Sequence, residues 1–201
     1  MFNHYFMKQL SKIPQNFSKN FTLSDQKLIT VPGKALLGVL FQNKQDYRAL
    51  KQHIEKSGFE VDLESEELKF DLTDYYEKEM GSELRRIFVS LKGVYSLDES
   101  ISFKLKTIEW ESKWRVSGLR TINIDPGYLD FHKLILLSGK EGPQKIYLGQ
   151  SVWADLCLIR KSGRFETLPW TFPDLRDVFY HPFFEKVRLV FKKDIKKVSE
   201  S

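Results

Sequence analysis

The sequence holds a single cysteine, Cys157, which excludes an intrachain disulfide framework and a multi-thiolate metal site. Its longest apolar stretches, such as Leu134–Leu137, fall far short of the roughly 18 residues a membrane-spanning helix needs. The histidines His4, His53, His132 and His181 stand far apart with no ligand-pair spacing, which argues against zinc. No G-x-x-x-x-G-K-[ST] phosphate loop is present, since Gly33-Lys34 lacks both the preceding glycine and the following hydroxyl. G-x-G-x-x-G, H-E-x-x-H and G-x-S-x-G are missing too, as is the aromatic signature of an RNA-recognition sheet. Met1–Asn20 has no continuous apolar core of a secretory signal, and with one cysteine the cytoplasm is the expected compartment.

What is present is aromatic: 16 Phe, 8 Tyr and 4 Trp in 201 residues, enough to expect a packed core. The formal charge of +5 hides a segregation. The window Phe59–Glu83 carries −8, leaving +13 for the rest. Such a basic remainder can attract nucleic acid, or can simply solvate helix faces. Residues 1–33, with Pro14 and Pro32 and no sustained period, read as a poorly ordered extension, and 34–198 as a single α+β domain.

Periodicity orders that domain. Ala35–Phe41 is a continuous apolar run suited to a strand buried on both faces. A helix follows, capped by Asn43, with Tyr47, Leu50 and Ile54 as its stripe and Gly58 at its end. Phe59–Leu63 alternates like a half-wet strand, and Arg86–Leu91 is a second apolar one. Ser96-x-x-Glu99 reads as a capping box for a helix with Ile101, Leu105 and Ile108 inward, before the alternating strand Arg120–Asp125. Strand, helix, strand, strand, helix, strand is the ferredoxin-like βαββαβ order, in which the sheet runs 4-1-3-2 with the apolar strands central. Pro126-Gly127 signals a type II turn, and Tyr128–Leu137 a short helix. A β-hairpin through Lys161–Arg164 and an amphipathic terminal helix after Pro182 extend the unit.

Two segments could carry chemistry. Asp71-Leu-Thr-Asp-Tyr-Tyr-Glu-Lys-Glu-Met-Gly81 clusters carboxylates with phenols. Such groups hold Mg²⁺ through oxygen, or exchange protons, or only cap and solvate a loop. Asn123 and Asp125 share one strand face beside Tyr128, either as a plain strand-to-helix turn or as side chains offered to a ligand. Leu168–Asp174, two rings between prolines, reads as a core-anchoring turn, and Tyr147 as a residue bordering a cleft.

Four motifs carry a family resemblance: DxTDYYExEMG at 71–81, NIDPGYL at 123–129, IYLG at 146–149 and LPWTFPD at 168–174. With them, residues 34–192 resemble an uncharacterised prokaryotic family of proteins of about this length that carries a domain-of-unknown-function label. The resemblance implies a cytoplasmic stand-alone protein and brings no established activity. Some members bear a GTP-binding name, which the missing phosphate loop does not support here. The family commonly has His at the position of Leu72, Asn at that of Ile108 and His-Arg at that of Gln144-Lys145, so if relatives use such a His as a base, this chain cannot do so in the same way. The acidic and phenolic positions are kept.

The leading expectation is a ligand-binding or regulatory protein whose pocket takes a phosphorylated or other anionic small molecule. Its candidate residues are Asp71, Thr73, Asp74, Tyr75, Tyr76, Glu77, Glu79, Asn123, Asp125, Tyr128, Lys133 and Tyr147, with Arg120, Lys133 or Lys145 as countercharge. The alternatives are a Mg²⁺-dependent hydrolase or phosphotransferase, with Asp71, Asp74 and Asp125 as metal ligands, and a nucleic-acid-associated protein.

Overall fold

The computed structural model describes residues 31–71, 73, 75–176 and 178–200. All but three residues of the extension expected at 1–33 lie outside them, as do Leu72 and Asp74. Strand β1 (Pro32–Phe41) is buried from Gly33 onward, as a continuous apolar run demands. Helix α1 (Lys44–Lys56) begins where Asn43 Oδ1 accepts the Gln45 N–H at 2.8 Å and buries Leu50 and Ile54. Then come β2 (Val61–Glu64), β3 (Leu68–Lys69), the single turn α2 (Glu77–Met80), β4 (Arg85–Leu91), β5 (Tyr95–Ser96) and α3 (Ser100–Glu111). A small hairpin, β6 (Arg115–Val116) and β7 (Leu119–Arg120), leads into β8 (Ile122–Leu129). The chain continues through β9 (Lys133–Ser138), β10 (Lys145–Gly149), β11 (Val152–Lys161), β12 (Arg164–Thr167), α4 (Pro173–Arg176) and α5 (His181–Ser199).

The fold is α+β, built on one ten-stranded antiparallel sheet in the order β10-β11-β9-β8-β1-β4-β2. Strand β12 shares the outer edge of β11 with β10, β3 pairs with β4, and β5 pairs with the start of β1. Helices α1 and α3 cover one face over Leu37, Val39, Ile122 and Ile124. Helix α5 covers the other over Leu36, Phe88, Leu134 and Leu136, through Phe184 and Val187. Among the described residues no helix is long and apolar enough to cross a membrane.

The fourth strand of the expected unit is not an edge: β8 is buried on both faces and runs on to Leu129. Pro126-Gly127 is no turn but part of that strand, Pro126 opposite Leu37 and Gly127 opposite Leu36. The helix expected over Tyr128–Leu137 is instead the β8–β9 hairpin, with Leu129 facing Leu134. Leu129, Leu134 and Leu137 are apolar in either reading, and the unbroken run Leu134–Leu137 suits a doubly buried strand. Asp130 Oδ1 makes the turn by accepting the His132 and Lys133 N–H groups at 2.7 and 2.8 Å.

Helix α3 is also rotated from its expected setting. Phe103, Thr107 and Trp110 face the core and Ile101 packs against it as expected, while Leu105 and Ile108 are exposed. Aromatic rings bury more area than the branched aliphatics on the opposite stripe, so they decide the orientation. The Ser96 capping box is not made; its hydroxyl reaches only Asp98 at 3.5 Å.

Two glycines permit close approaches that matter below. A Cβ on Gly127 would stand 2.1 Å from the Ile135 carbonyl oxygen, so only glycine lets β9 come this near. A Cβ on Gly38 would stand 2.7 Å from an Arg86 guanidinium nitrogen and 2.8 Å from the Phe88 ring. Alanine normally stabilises a strand interior relative to glycine. Gly38→Ala is expected to do the reverse, lowering unfolding free energy by about 1–3 kcal/mol by overpacking. Urea denaturation checks the sign, and an unchanged or raised midpoint would contradict the close approach.

Candidate functional site

Pairing between β8 and β9 ends at Gly127 opposite Leu136, next to Pro126, which has no N–H to give a ladder. Upstream of that point, among the described residues, β8 is paired with β1 alone, while Leu137 and Ser138 are paired with β11 alone. The sheet therefore parts, and Asp125 on one lip and Leu136–Ser138 on the other line a cavity of about 440 Å³.

The cavity floor follows the strand register. Phe88 stands opposite Gly38, Gly38 opposite Asp125, Leu136 opposite Asp155, and Asp155 opposite Lys145. Arg86, 5% exposed, passes over Gly38 with its guanidinium 4.9 Å from the Phe88 ring centre. One terminal nitrogen lies 3.2 Å from Asp125 Oδ2, and Nε lies 3.5 Å from Asp174 Oδ2. Burial opposes the guanidinium charge, but Asp174 and then Asp125 outweigh it and hold its pKa above the usual arginine value. Further along, Lys145 Nζ is 3.4 Å from Asp155 Oδ2 and donates to Ser138 Oγ at 3.0 Å. Burial pushes the Asp155 carboxyl above the usual aspartate range, against the pull of Lys145.

The 71–81 segment forms one wall. Thr73 Oγ1 accepts the Tyr75 N–H at 3.2 Å, and Tyr76 packs edge-on against Phe70 in a cluster with Leu40, Met80 and Leu84. Burial, with Asp125 nearby, pushes the Tyr76 phenol up, so it stays neutral. Tyr75 is exposed at the mouth, where Lys140 Nζ donates to its hydroxyl and lies 4.6 Å from the ring centre.

Glu79 clamps this wall to the sheet. Its two oxygens accept from Arg120 at 2.7 Å each, and Arg120 also donates to Asn123 Oδ1 at 2.9 Å and to Glu111 at 3.2 Å. The Arg120 bonds hold the Glu79 carboxyl below the usual glutamate range, while burial holds Glu111 above it. The Glu111 carboxylate also accepts the Ile124 N–H, which ties α3 to β8.

The opposite wall comes from Leu168–Asp174, and not by burying its rings. Trp170 and Phe172 are 42% and 39% exposed. Hydrogen bonds hold the segment: Thr171 Oγ1 donates to the Cys157 carbonyl at 2.6 Å, and Trp170 Nε1 to the Leu156 carbonyl at 2.9 Å. Phe172 and Asp174 are thereby presented to the cavity. Cys157 itself is buried, and burial pushes its thiol well up, which makes it inert.

Of the residues singled out from the sequence, Thr73, Tyr75, Tyr76 and Asp125 line this cavity, as does Lys145. Glu79 and Asn123 belong to the clamp, which takes Arg120 as well. Asp71 is exposed, 3.7 Å from Lys69, and borders an adjoining hollow by Phe179 that shares Phe70, Arg86 and Asp174 with the cavity. Glu77 is exposed and borders neither. Tyr128 packs with the core on the α1–α3 face, and Lys133 pairs with Asp130 at 2.5 Å. Tyr147 is an exposed ring on Trp153, 4.9 Å between centres. Asp74 lies outside the described residues. Among the described residues no three His, Cys, Asp or Glu side chains come together as a metal site, and Asp125 faces Arg86 instead.

Arg86, Ser138, Lys140, Glu141, Asp155, Phe172 and Asp174 are among the lining residues that sequence reasoning missed. For two of them a signal existed: Arg86 keeps the phase of Phe88 in an apolar strand, and Asp155 interrupts another such run.

Comparison with curated proteins and with solved structures finds no match. The sequence pattern of one family, described as domain of unknown function (DUF4416), matches residues 31–191. That span holds β1 through most of α5 and every residue lining the cavity, and the chain belongs to this family.

Proposed function

We propose that this protein is a ligand-binding or regulatory protein whose cavity takes a small molecule bearing a phosphate or another anionic group. The observation that carries this is convergence. Thr73, Tyr75 and Tyr76, then Asp125, then Phe172 and Asp174 come from three of the four segments behind the family resemblance and line one cavity. A volume of about 440 Å³ lies in the range of small-molecule sites, and phenol and phenyl rings beside a few fixed charges are their usual lining. Arg86 and Lys145 are each matched by carboxylates on the floor. Lys140, at the mouth, has no carboxylate within ion-pair distance among the described residues and is the natural seat of the anionic group.

We also read β8-β1-β4-β2 with α1 and α3 as a ferredoxin-like centre. Its support is the antiparallel pairing of those four neighbours and their two helices on one face. On that view the cavity marks the seam where β9–β12 were added.

The test is a melting-temperature and calorimetry panel of phosphorylated metabolites on wild type and Lys140→Ala. At least one phosphate ester is expected to bind saturably, with Kd raised roughly tenfold in the variant, a charge-assisted hydrogen bond being worth about 1.5–3 kcal/mol. Equal binding by both proteins, or no stabilisation by any compound, would remove the proposal.

A further inference from the structure

We infer, resting on that proposed function, that the depth of the cavity is built for hydroxyl groups, so that the ligand is a polyhydroxylated phosphate of the sugar-phosphate kind. The floor carries two acid–base pairs set slightly too far apart. Arg86 Nε and Asp174 Oδ2 are 3.5 Å apart, Lys145 Nζ and Asp155 Oδ2 3.4 Å, and neither separation makes a good hydrogen bond. Arg86 Nε, Asp174 Oδ2 and Asp155 Oδ2 are buried with no hydrogen-bond partner among the described residues. Their residues are only 5%, 8% and 2% exposed. Buried groups left in this state destabilise a fold unless something completes them.

The chemistry of what completes them is constrained from both sides. An ammonium suits Asp174 but is repelled by Arg86. A carboxylate or phosphate suits Arg86 but is repelled by Asp174. A hydroxyl oxygen accepts from Arg86 Nε–H and donates to Asp174 Oδ2 at once, and the same holds between Lys145 and Asp155. Two such seats in one cavity ask for more than one hydroxyl on the ligand. Phe172, Tyr75 and Tyr76 supply the apolar walls that the C–H faces of a sugar ring pack against. The anionic end is then left for Lys140 at the mouth.

Calorimetric titration of the full chain with ethyl phosphate, glycerol 3-phosphate, ribose 5-phosphate, glucose 6-phosphate and inositol 1-phosphate separates these demands. Affinity is expected to rise with hydroxyl content, at least one sugar phosphate binding tenfold or more tighter than ethyl phosphate. In Asp174→Asn and in Asp155→Asn the ratio of the ethyl phosphate Kd to the sugar phosphate Kd is expected to shrink several-fold, and an intact cooperative melting transition shows that the variant is folded. Adenosine 5′-monophosphate against ribose 5-phosphate identifies whether the hydroxyls belong to a nucleotide or to a free sugar. If ethyl phosphate binds wild type as tightly as every sugar phosphate, the hydroxyl seats are wrong while the anion site stands. If nothing binds, ethyl phosphate and inorganic phosphate included, both fall.

Discussion

Arg86→Met is expected to lower the unfolding free energy by about 3–5 kcal/mol, the usual result of taking one partner from a buried ion pair. Arg86 is 5% exposed and serves Asp125 on β8 and Asp174 at the start of α4. Methionine fills much of the same volume, so the loss reports the two carboxylates left without a cation more than it reports a void. The pairing with Asp174 has its own signature. Asp174→Leu alone strands part of the guanidinium charge, whereas Arg86→Met with Asp174→Leu leaves an apolar contact in place of the pair. The double variant is therefore expected to be more stable than the sum of the singles by about 1–3 kcal/mol, a coupling typical of contacting residues. Urea titrations of the four proteins measure it. Strict additivity would mean that the 3.5 Å approach of the two side chains carries no energy, and the account of the cavity floor would go with it.

The β1–β4 part of this sheet was legible in the sequence for a simple reason. Strands buried on both faces must be apolar throughout, and Ala35–Phe41 and Ile87–Leu91 have no other use for such runs. Capping chemistry located α1 equally well, because Asn43 and Gly58 do the same thing in isolation that they do in the fold. The reading failed where a local signal met a tertiary demand. Pro126-Gly127 is a turn pair by propensity, but β1 and β9 hold it extended between them, and the proline shows its character by ending the β8–β9 ladder. In α3 two stripes competed, and which one faced inward depended on what the sheet below could accommodate.

The candidate site was half legible for a related reason. Thr73, Tyr75, Tyr76 and Asp125 advertised themselves by being polar in clusters. Asp155 is a lone charge in an apolar run and acquires meaning only when the register sets Lys145 opposite it, while Arg86 on β4 and Asp174 on α4 meet only through tertiary packing. Glu79 and Asn123 show the converse. They looked like ligand groups because they are polar and close to the cluster, yet Arg120, from the small β6–β7 hairpin, engages both, and nothing in sequence spacing brings residue 120 to residue 79.

Lys34→Met is the second substitution with a large expected effect, and it acts far from the cavity. Lys34 is 0% exposed at the start of β1, in phase with Leu36 on the face that α5 covers. Its ammonium donates to Asp62 on β2 at 2.5 Å, to Asp194 on α5 at 2.8 Å and to the Gly93 carbonyl at 3.3 Å. Asp62 is braced in turn by the Ser90 hydroxyl. A lysine so placed is tolerable only because three acceptors replace its water, and removing it leaves two carboxylates, each under a fifth exposed, facing one another. The expected loss is again about 3–5 kcal/mol. It should change little between low and high salt, since screening acts weakly on pairs excluded from solvent. The loss should also be uneven. Asp194 is a charged anchor between the second half of α5 and the sheet, so amide-exchange protection there should fall more than in β1 or β4, whose ladders do not depend on it. A uniform drop in protection would mean that Lys34 stabilises the fold as a whole and not the docking of its last helix. A variant within 1 kcal/mol of wild type would mean that the carboxylates find other partners once the ammonium is gone.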